Sequence, residues 1–187
     1  MDLPFTGICS FAKQPICHDL EHLDADVAIL GAPFDMGTTY RSGARFGPRG
    51  IREASTLYAF GADGAYSPED DQFFLSQQEV RIVDAGDADI IHTDVEGSFA
   101  NIEEGVRKIL SRGALPVILG GDHSINIPCM RAFSDQPPVH LIQLDAHLDF
   151  GSDTSGVTLG HNQPMRRAAE LRHVMGMTQI GIRNFTY

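Results

Sequence analysis

The sequence predicts an α/β protein in which helices cover both faces of a mainly parallel sheet, giving three layers in the order α/β/α. Three observations predict it: short apolar runs recur along the chain, segments of helical periodicity lie between them, and glycine-rich polar loops follow them. Short apolar strands that alternate with helices are typical of parallel sheets buried on both faces. Ligands of such sheets bind beyond the carboxyl ends of the strands.

Five apolar segments are predicted to be the strands. They are residues 26–30, 80–84, 115–119, 139–144 and 178–182. Helices are predicted over 51–60, 95–112 and 164–174. The longest of them carries Phe99, Ile102 and Val106 at helical spacing, and Gly113 ends it. Residues 1–25 have no clear periodicity and are predicted to form an N-terminal arm, whereas residues 26–187 belong to a single α/β domain.

Composition excludes several classes of protein. The 187 residues are 42% hydrophobic and carry a formal charge of −11, so a largely disordered chain is excluded, and nucleic acid and anionic membranes are not expected partners. No apolar run approaches the ~18 residues of a membrane-spanning helix. Cys9, Cys17 and Cys129 form no CxxC pair. We expect these cysteines to be reduced thiols, and the N-terminus lacks the features of a secretory signal. Both expectations predict a cytoplasmic protein.

An alternation of acidic and imidazole side chains follows the fourth predicted strand. Asp145, His147 and Asp149 are spaced two residues apart. If the extended conformation continued, all three side chains would point to one side of the chain. Two carboxylates and an imidazole crowded together favour a bound cation, because the cation relieves their repulsion.

A second polar cluster follows the third predicted strand. Gly120 and Gly121 allow a sharp turn that could bring His123 beside the first cluster. A histidine and aspartate set without cysteine suits Mn²⁺, Zn²⁺, Fe²⁺ or Ni²⁺, and a two-metal site is plausible. Taken singly, each of these residues is as readily explained as a hydrogen-bonded structural residue as it is as a metal ligand. The metal hypothesis therefore depends on both clusters meeting at one edge of the sheet.

Residues 120–124 (GGDHS) and 145–149 (DAHLD) resemble the two metal-binding signatures of the ureohydrolases, the arginase/agmatinase family. Residues 31–35, 41–48 and 83–87 resemble the agmatinase-like branch, and His161 resembles the active-site histidine of the family. The resemblance extends from about residue 26 to 183. It implies an arginase-like fold.

For the metal site, the resemblance implies two Mn²⁺ ions, or Ni²⁺ or another divalent ion, that share a bridging hydroxide. His123 and Asp149 would bind one ion and His147 the other, and Asp145 would bridge them. The hydroxide attacks the carbon of a small cationic guanidino substrate and yields urea and an amine. Agmatine, a guanidino acid and guanidine are the candidate substrates.

Further roles also follow from the resemblance. Asp149 and His161 are the expected catalytic residues, with His161 moving a proton or contacting substrate, and His161 and Asn162 are the expected substrate-binding residues. Asn162 departs from the glycine usual in this branch, which leaves the substrate open. The resemblance also implies a homo-oligomer, a trimer or hexamer.

The family has a later Asp-x-Asp pair that completes both metal shells, and no acidic residue follows Glu170 here. We therefore expect the chain to be the N-terminal part of an arginase-like domain whose C-terminal part is missing, to be inactive alone, and to be poorly soluble or dependent on a partner. Two alternatives stay open. One is a non-catalytic chain of the same fold that acts as a binding or partner subunit. The other is a related metal-dependent amide hydrolase.

Overall fold

The computed structural model of the protein describes residues 3–59, 63–153 and 156–184. Its strands and helices are numbered here in chain order. The strands are β1 (Val27–Ala32), β2 (Ala65–Ser67), β3 (Gln72–Phe74), β4 (Ile82–Asp87), β5 (Leu115–Gly120), β6 (Val139–Leu144) and β7 (Val174–Ile180). The α-helices are α1 (Gly47–Ser55), α2 (Val95–Ser111), α3 (Asn126–Arg131) and α4 (Pro164–Ala169).

Parallel pairing dominates the sheets. β1 is the central strand of a three-stranded parallel sheet in the order β4-β1-β5, and β6 pairs in parallel with β7. Within the described residues no ladder joins β5 to β6. The predicted α/β class with a mainly parallel sheet is confirmed, although these strands divide between two sheets.

The apolar face of helix α2 packs against β1 in the hydrophobic core. Phe99, Ile102, Val106 and Ile109 are fully buried, as the spacing of four apolar positions on one face of a helix predicts. The carboxylate of Asp94 caps the helix by accepting a hydrogen bond from Gly97 N–H at 2.9 Å. Burial of this face fixes α2 on the sheet.

Arg52 of α1 ties that helix to the carboxyl end of β4. Arg52 is only 8% exposed. Its Nε donates to Asp84 at 2.8 Å, and its two terminal nitrogens donate to Asp87 at 2.6 Å and to the Gly86 carbonyl at 2.7 Å. A buried guanidinium needs such partners, because an unpaired charge in the interior is costly.

Several element boundaries differ from the sequence prediction. Helix α1 begins at Gly47, before the predicted start at 51, because Pro48 fits the first turn of a helix. Helix α4 ends at Ala169, before the predicted end at 174, and β7 begins at Val174 instead of 178, where pairing with β6 starts. The β2–β3 hairpin lies between the first predicted helix and the second predicted strand, where no strand was predicted. The first helix was predicted to run to Phe60, which lies outside the described residues, but α1 already ends at Ser55.

The N-terminal segment runs beside β4. The Asp84 N–H donates to the Pro15 carbonyl at 2.9 Å, and the Cys17 N–H donates to the Asp84 carbonyl at 2.8 Å. Leu23 and Ala25 are buried in the core. The predicted boundary between arm and domain stays a prediction.

Apolar side chains of β6 and β7 are exposed. Leu144 is 78% exposed and Met175 72% exposed. Among the helices in the described part of the chain, none combines the length and the apolar character that crossing a membrane requires.

Candidate metal centre

The turn after β5 presents His123 at the carboxyl edge of the sheet. Gly121 has φ +58°, and a Cβ there would lie 2.4 Å from the Ala32 carbonyl oxygen. Only glycine fits this close approach. The N–H of Asp122 donates to the Phe34 carbonyl at 2.8 Å, so the turn is held against the segment that follows β1.

The segment after β6 presents two aspartates. The N–H of Asp145 donates to the Ile180 carbonyl at 3.0 Å, so this residue continues the pairing of β6 with β7. The extended conformation does not continue through the whole motif, because Asp149 has φ +45°. Asp145 and Asp149 both lie near His123, and His147 lines the same cavity with a more exposed side chain.

Three side chains form a compact cluster. His123 Nδ1 lies 2.5 Å from Asp149 Oδ2 and 3.9 Å from Asp145 Oδ2. Each of the three offers a ligand atom within 4.8 Å of the others. His147 lies outside this set, with 56% of its side chain exposed, but its Nδ1 is 3.2 Å from Asp145 Oδ1. The structure thus brings together three of the four predicted metal ligands and places the fourth beside one of them.

The donor set of this cluster fits a divalent metal ion. Two carboxylates and an imidazole are oxygen and nitrogen ligands of the kind that Mn²⁺ and similar ions accept. Burial tends to raise the pKa of Asp145, but hydrogen bonds from His147 and Gln143 and the nearby His123 leave that pKa below its ordinary value. Asp145 is therefore ionised at neutral pH and attracts a cation.

The cluster lies in an open cavity of about 480 Å³, a size usual for small-molecule sites (~300–1,000 Å³). Besides the four predicted metal ligands, its lining residues are Thr38, Thr39, Tyr40, Arg41, Asp122 and His161. One wall is therefore acidic, and a second wall comes from the loop after β1.

That loop is anchored at both ends by buried aspartates. Asp122 Oδ2 accepts a hydrogen bond from Gly37 N–H at 2.9 Å. Asp35 accepts from Gly43 N–H at 2.7 Å and from Arg45 Nε at 2.7 Å. The Arg45 guanidinium, and then the backbone N–H groups, hold the pKa of Asp35 below its ordinary value although burial opposes them. The loop tip between these anchors therefore has a defined position at the cavity.

The same loop orients His161. Gly37 carbonyl oxygen accepts from His161 N–H at 3.1 Å and lies 2.5 Å from His161 Nδ1. A carbonyl can only accept, so the Nδ1 carries the proton and Nε2 is left with the lone pair in the neutral ring. His161 lines the metal cavity and is able to accept a proton at Nε2.

Asn162 lies elsewhere. It lines a neighbouring cavity of about 460 Å³ that shares Thr38 and Thr39 with the metal cavity. Its backbone carbonyl accepts from Gly151 N–H at 2.8 Å. Its predicted contact with substrate stays a prediction.

Three residues at the site were given no role from the sequence. Asp122 is one of the two anchors of the loop, and Tyr40 and Arg41 line the cavity. The position of Asp122 next to a predicted ligand was a usable signal, since metal-site neighbours commonly orient ligands. Tyr40 and Arg41 carry no comparable signal, because their place depends on how the loop folds back.

A parallel α/β sheet with a histidine–aspartate cluster at its strand ends defines an α/β protein with a candidate metal site at the carboxyl edge. The chain belongs to the arginase family, whose family model matches residues 25–187. The predicted agmatinase-like ureohydrolase relationship is confirmed by the relatives.

The chain is 37% identical over 180 residues to the human mitochondrial guanidino acid hydrolase, and the alignment covers 95% of this chain and 49% of that relative. It is 35% identical over 185 residues to the mitochondrial agmatinase of Gallus gallus, and that alignment covers 97% of this chain and 52% of the relative. A solved structure of a hypothetical agmatinase from Burkholderia thailandensis superimposes with a TM-score of 0.83 at 31% identity, covering 97% of this chain and 56% of the other. The chain spans about half the length of the curated relatives it matches.

Proposed function

We propose that this protein hydrolyses a small guanidino compound to urea and an amine with the help of divalent metal ions. The observation that carries the proposal is the cluster of His123, Asp145 and Asp149 at the carboxyl edge of the sheet. The names of two relatives, a guanidino acid hydrolase and an agmatinase, support the substrate class.

His123, Asp145 and Asp149 would hold the metal, with His147 beside Asp145 as a further ligand. When bound, Mn²⁺, Ni²⁺ or another divalent ion supplies a water of lowered pKa as the nucleophile for the guanidinium carbon. The acidic wall of the cavity attracts the cationic guanidinium group. Holding the metal ion and attracting the guanidinium group both follow from the negative charges of Asp145 and Asp149.

His161 would handle the proton in this proposal. Addition of water to the guanidinium carbon is followed by cleavage of one C–N bond, and the departing nitrogen must take up a proton. The Gly37 carbonyl holds Nδ1–H, so Nε2 is the atom that accepts and returns this proton. Asn162 is proposed to contact the substrate tail through the neighbouring cavity.

Activity belongs to the whole protein in this proposal. We expect the 187 residues alone to be inactive, because the family's second pair of aspartates would complete the ligands. We also propose a homo-oligomer, a trimer or hexamer, in the cytoplasm.

The test is urea release from a panel of guanidino compounds by the longest natural chain that contains these residues, with Mn²⁺ or Ni²⁺ added. His123→Ala and His147→Ala are compared with His22→Ala, a control whose side chain is 85% exposed on the N-terminal segment. We expect both site variants to lose activity and bound metal, measured by elemental analysis, and the control to keep both.

Unchanged activity in both site variants would refute the proposal. Fewer than two ions per chain in excess metal, without urea release, would favour the binding or partner subunit. Turnover of acetylated amines without urea release would favour an amide hydrolase.

A further inference from the structure

The first turn of α1 lies directly against the backbone that precedes His123. A Cβ at Gly47 would lie 2.3 Å from the carbonyl oxygen of Gly120 and 3.2 Å from its carbonyl carbon. The Ala44 carbonyl, just before the helix, accepts a hydrogen bond from the Gly121 N–H at 3.4 Å. The turn after β5 is thus supported by the start of α1 on one side and by the segment that follows β1 on another.

Backbone conformation does not require a glycine at the start of α1. Gly47 has φ −55° and ψ −52°, which are ordinary right-handed helical values open to residues with a side chain. Alanine is also a better helix former than glycine, because it loses less backbone entropy on folding. The close approach to Gly120 is therefore the physical reason for a glycine at this position.

We propose that Gly47 is a positioning residue of the metal centre, because it lets α1 set the place of the turn from which His123 projects. This inference rests on the proposed function, which assigns His123 to the metal. A carbon atom and a carbonyl oxygen approach to about 3.3–3.6 Å, so Gly47→Ala would push the two backbones apart by about 1 Å. Residues at such a site must stay within about 0.5 Å of their productive positions.

The helix resists displacement more strongly than the turn does. Pro48 is fully buried, and Arg52 holds α1 to Asp84 of β4 by two hydrogen bonds, at 2.8 and 3.0 Å. Breaking a buried ion pair of this kind is strongly destabilising. By contrast, His123 is partly exposed, and its 2.5 Å contact with Asp149 lies at an open cavity. The displacement is therefore expected at the metal cluster and not in α1.

The experiment compares Gly47→Ala with Gly50→Ala in the longest natural chain that contains these residues. Gly50 is an exposed residue of the same helix, and a Cβ there would meet no described atom within 4 Å outside its own stretch of helix. Both substitutions add one methyl group to a glycine of α1, so the contact with Gly120 distinguishes them. The measurements are the Kd for Mn²⁺, the visible spectrum of the Co²⁺-loaded protein, kcat and KM for urea release, and urea unfolding of the metal-free protein.

We expect Gly47→Ala to raise the Kd for Mn²⁺ by about tenfold or more and to change the Co²⁺ spectrum, because the ligand geometry changes. The kcat measured at saturating metal should fall by about 100-fold, with a smaller change in KM. Gly50→Ala should keep the Kd, the spectrum and kcat of the unmodified protein. A merely structural role of Gly47 would lower the free energy of unfolding and leave the Co²⁺ spectrum of the folded protein unchanged.

An unchanged Kd and Co²⁺ spectrum in Gly47→Ala, or an equal loss of metal binding in Gly50→Ala, would overturn this inference and leave the proposed function intact. If Gly47→Ala fails to fold, Arg52→Lys decides in its place. Lysine keeps the charge but loses the paired hydrogen bonds that hold α1 to β4, so the Kd for Mn²⁺ must rise, and an unchanged Kd would overturn the inference. If the unmodified protein binds no divalent metal, the proposed function fails, and this inference with it.

Discussion

The backbone of Gly37 joins His161 to Asp122. The Gly37 carbonyl oxygen lies 2.5 Å from His161 Nδ1, and the Gly37 N–H donates to Asp122 Oδ2 at 2.9 Å. Asp122 precedes His123, a residue of the metal cluster. The backbone of one residue therefore fixes the proposed proton-transfer group relative to the proposed metal centre, and substitutions around it should affect catalysis without touching substrate.

Asp122→Asn should lower kcat. Asp122 accepts from Gly37 N–H at Oδ2 and from Ser124 N–H at Oδ1, and in asparagine one of these two oxygens becomes an NH2 group that cannot accept. Loss of such a supporting contact typically costs about 10–100-fold in activity or metal affinity. The measurements are kcat, KM and bound metal, with Asp135→Asn, a surface partner of Arg107, as the control. If Asp122 positions the catalytic groups, the pH dependence of kcat should also change in Asp122→Asn. An unchanged kcat with an unchanged pH dependence would contradict this role.

His161→Asn should remove catalysis and spare the fold. The asparagine amide can still donate to the Gly37 carbonyl, whereas the proton-accepting Nε2 is gone. General acid–base groups contribute about 10²–10⁴-fold to rate, so kcat should fall by that factor while bound metal and thermal stability stay unchanged. The exposed His92, substituted in the same way, is the control. Equal loss of metal and activity in His161→Asn would show that the residue acts through the metal instead.

Asp35→Asn should destabilise the protein by about 2 kcal/mol at neutral pH, since a buried carboxylate with charged and backbone donors is replaced. The pKa of Asp35 is lowered in the folded state from 3.8. The stabilisation is therefore complete above pH 3.8 and is lost as the pH falls through the lowered pKa.

Urea unfolding of Asp35→Asn and the unmodified protein at neutral pH, near 3.8 and at successively lower pH measures this. The two free energies of unfolding should converge only as the pH falls through the lowered pKa of Asp35. Asp24→Asn, which breaks an exposed pair with Arg81, should have little effect at any pH. If the difference in free energy of unfolding between Asp35→Asn and the unmodified protein grew on acidification, the stabilising role of the ionised Asp35 would be refuted.

Cys129 should resist alkylation. Burial raises the pKa of its thiol to about 12, so little thiolate exists near neutral pH. Iodoacetamide followed by peptide mass spectrometry should label exposed Cys9 first and Cys129 last, and all three cysteines should react after denaturation. Labelling of Cys129 as rapid as that of Cys9 would contradict a protonated, structural thiol.

Sequence patterns predicted the elements whose periodicity is local. The apolar spacing of α2 is a local feature, and the helix lies where that spacing indicates. The β2–β3 hairpin and helix α3 were missed, because strands of three residues and a helix of six residues are too short to show a periodic pattern. The division of the strands between two sheets likewise depends on long-range pairing.

By itself the sequence determined the chemistry that is available: strand ends carrying histidine and aspartate, and glycines that permit the turn before His123. Only the tertiary structure decided which of these groups meet. His123, Asp145 and Asp149 offer ligand atoms within 4.8 Å of one another, whereas His147 lies beside Asp145 outside that set. The hydrogen bond of Gly37 to Asp122 holds the loop after β1 at the same cavity, and local patterns could not show these meetings because they join residues far apart in the chain.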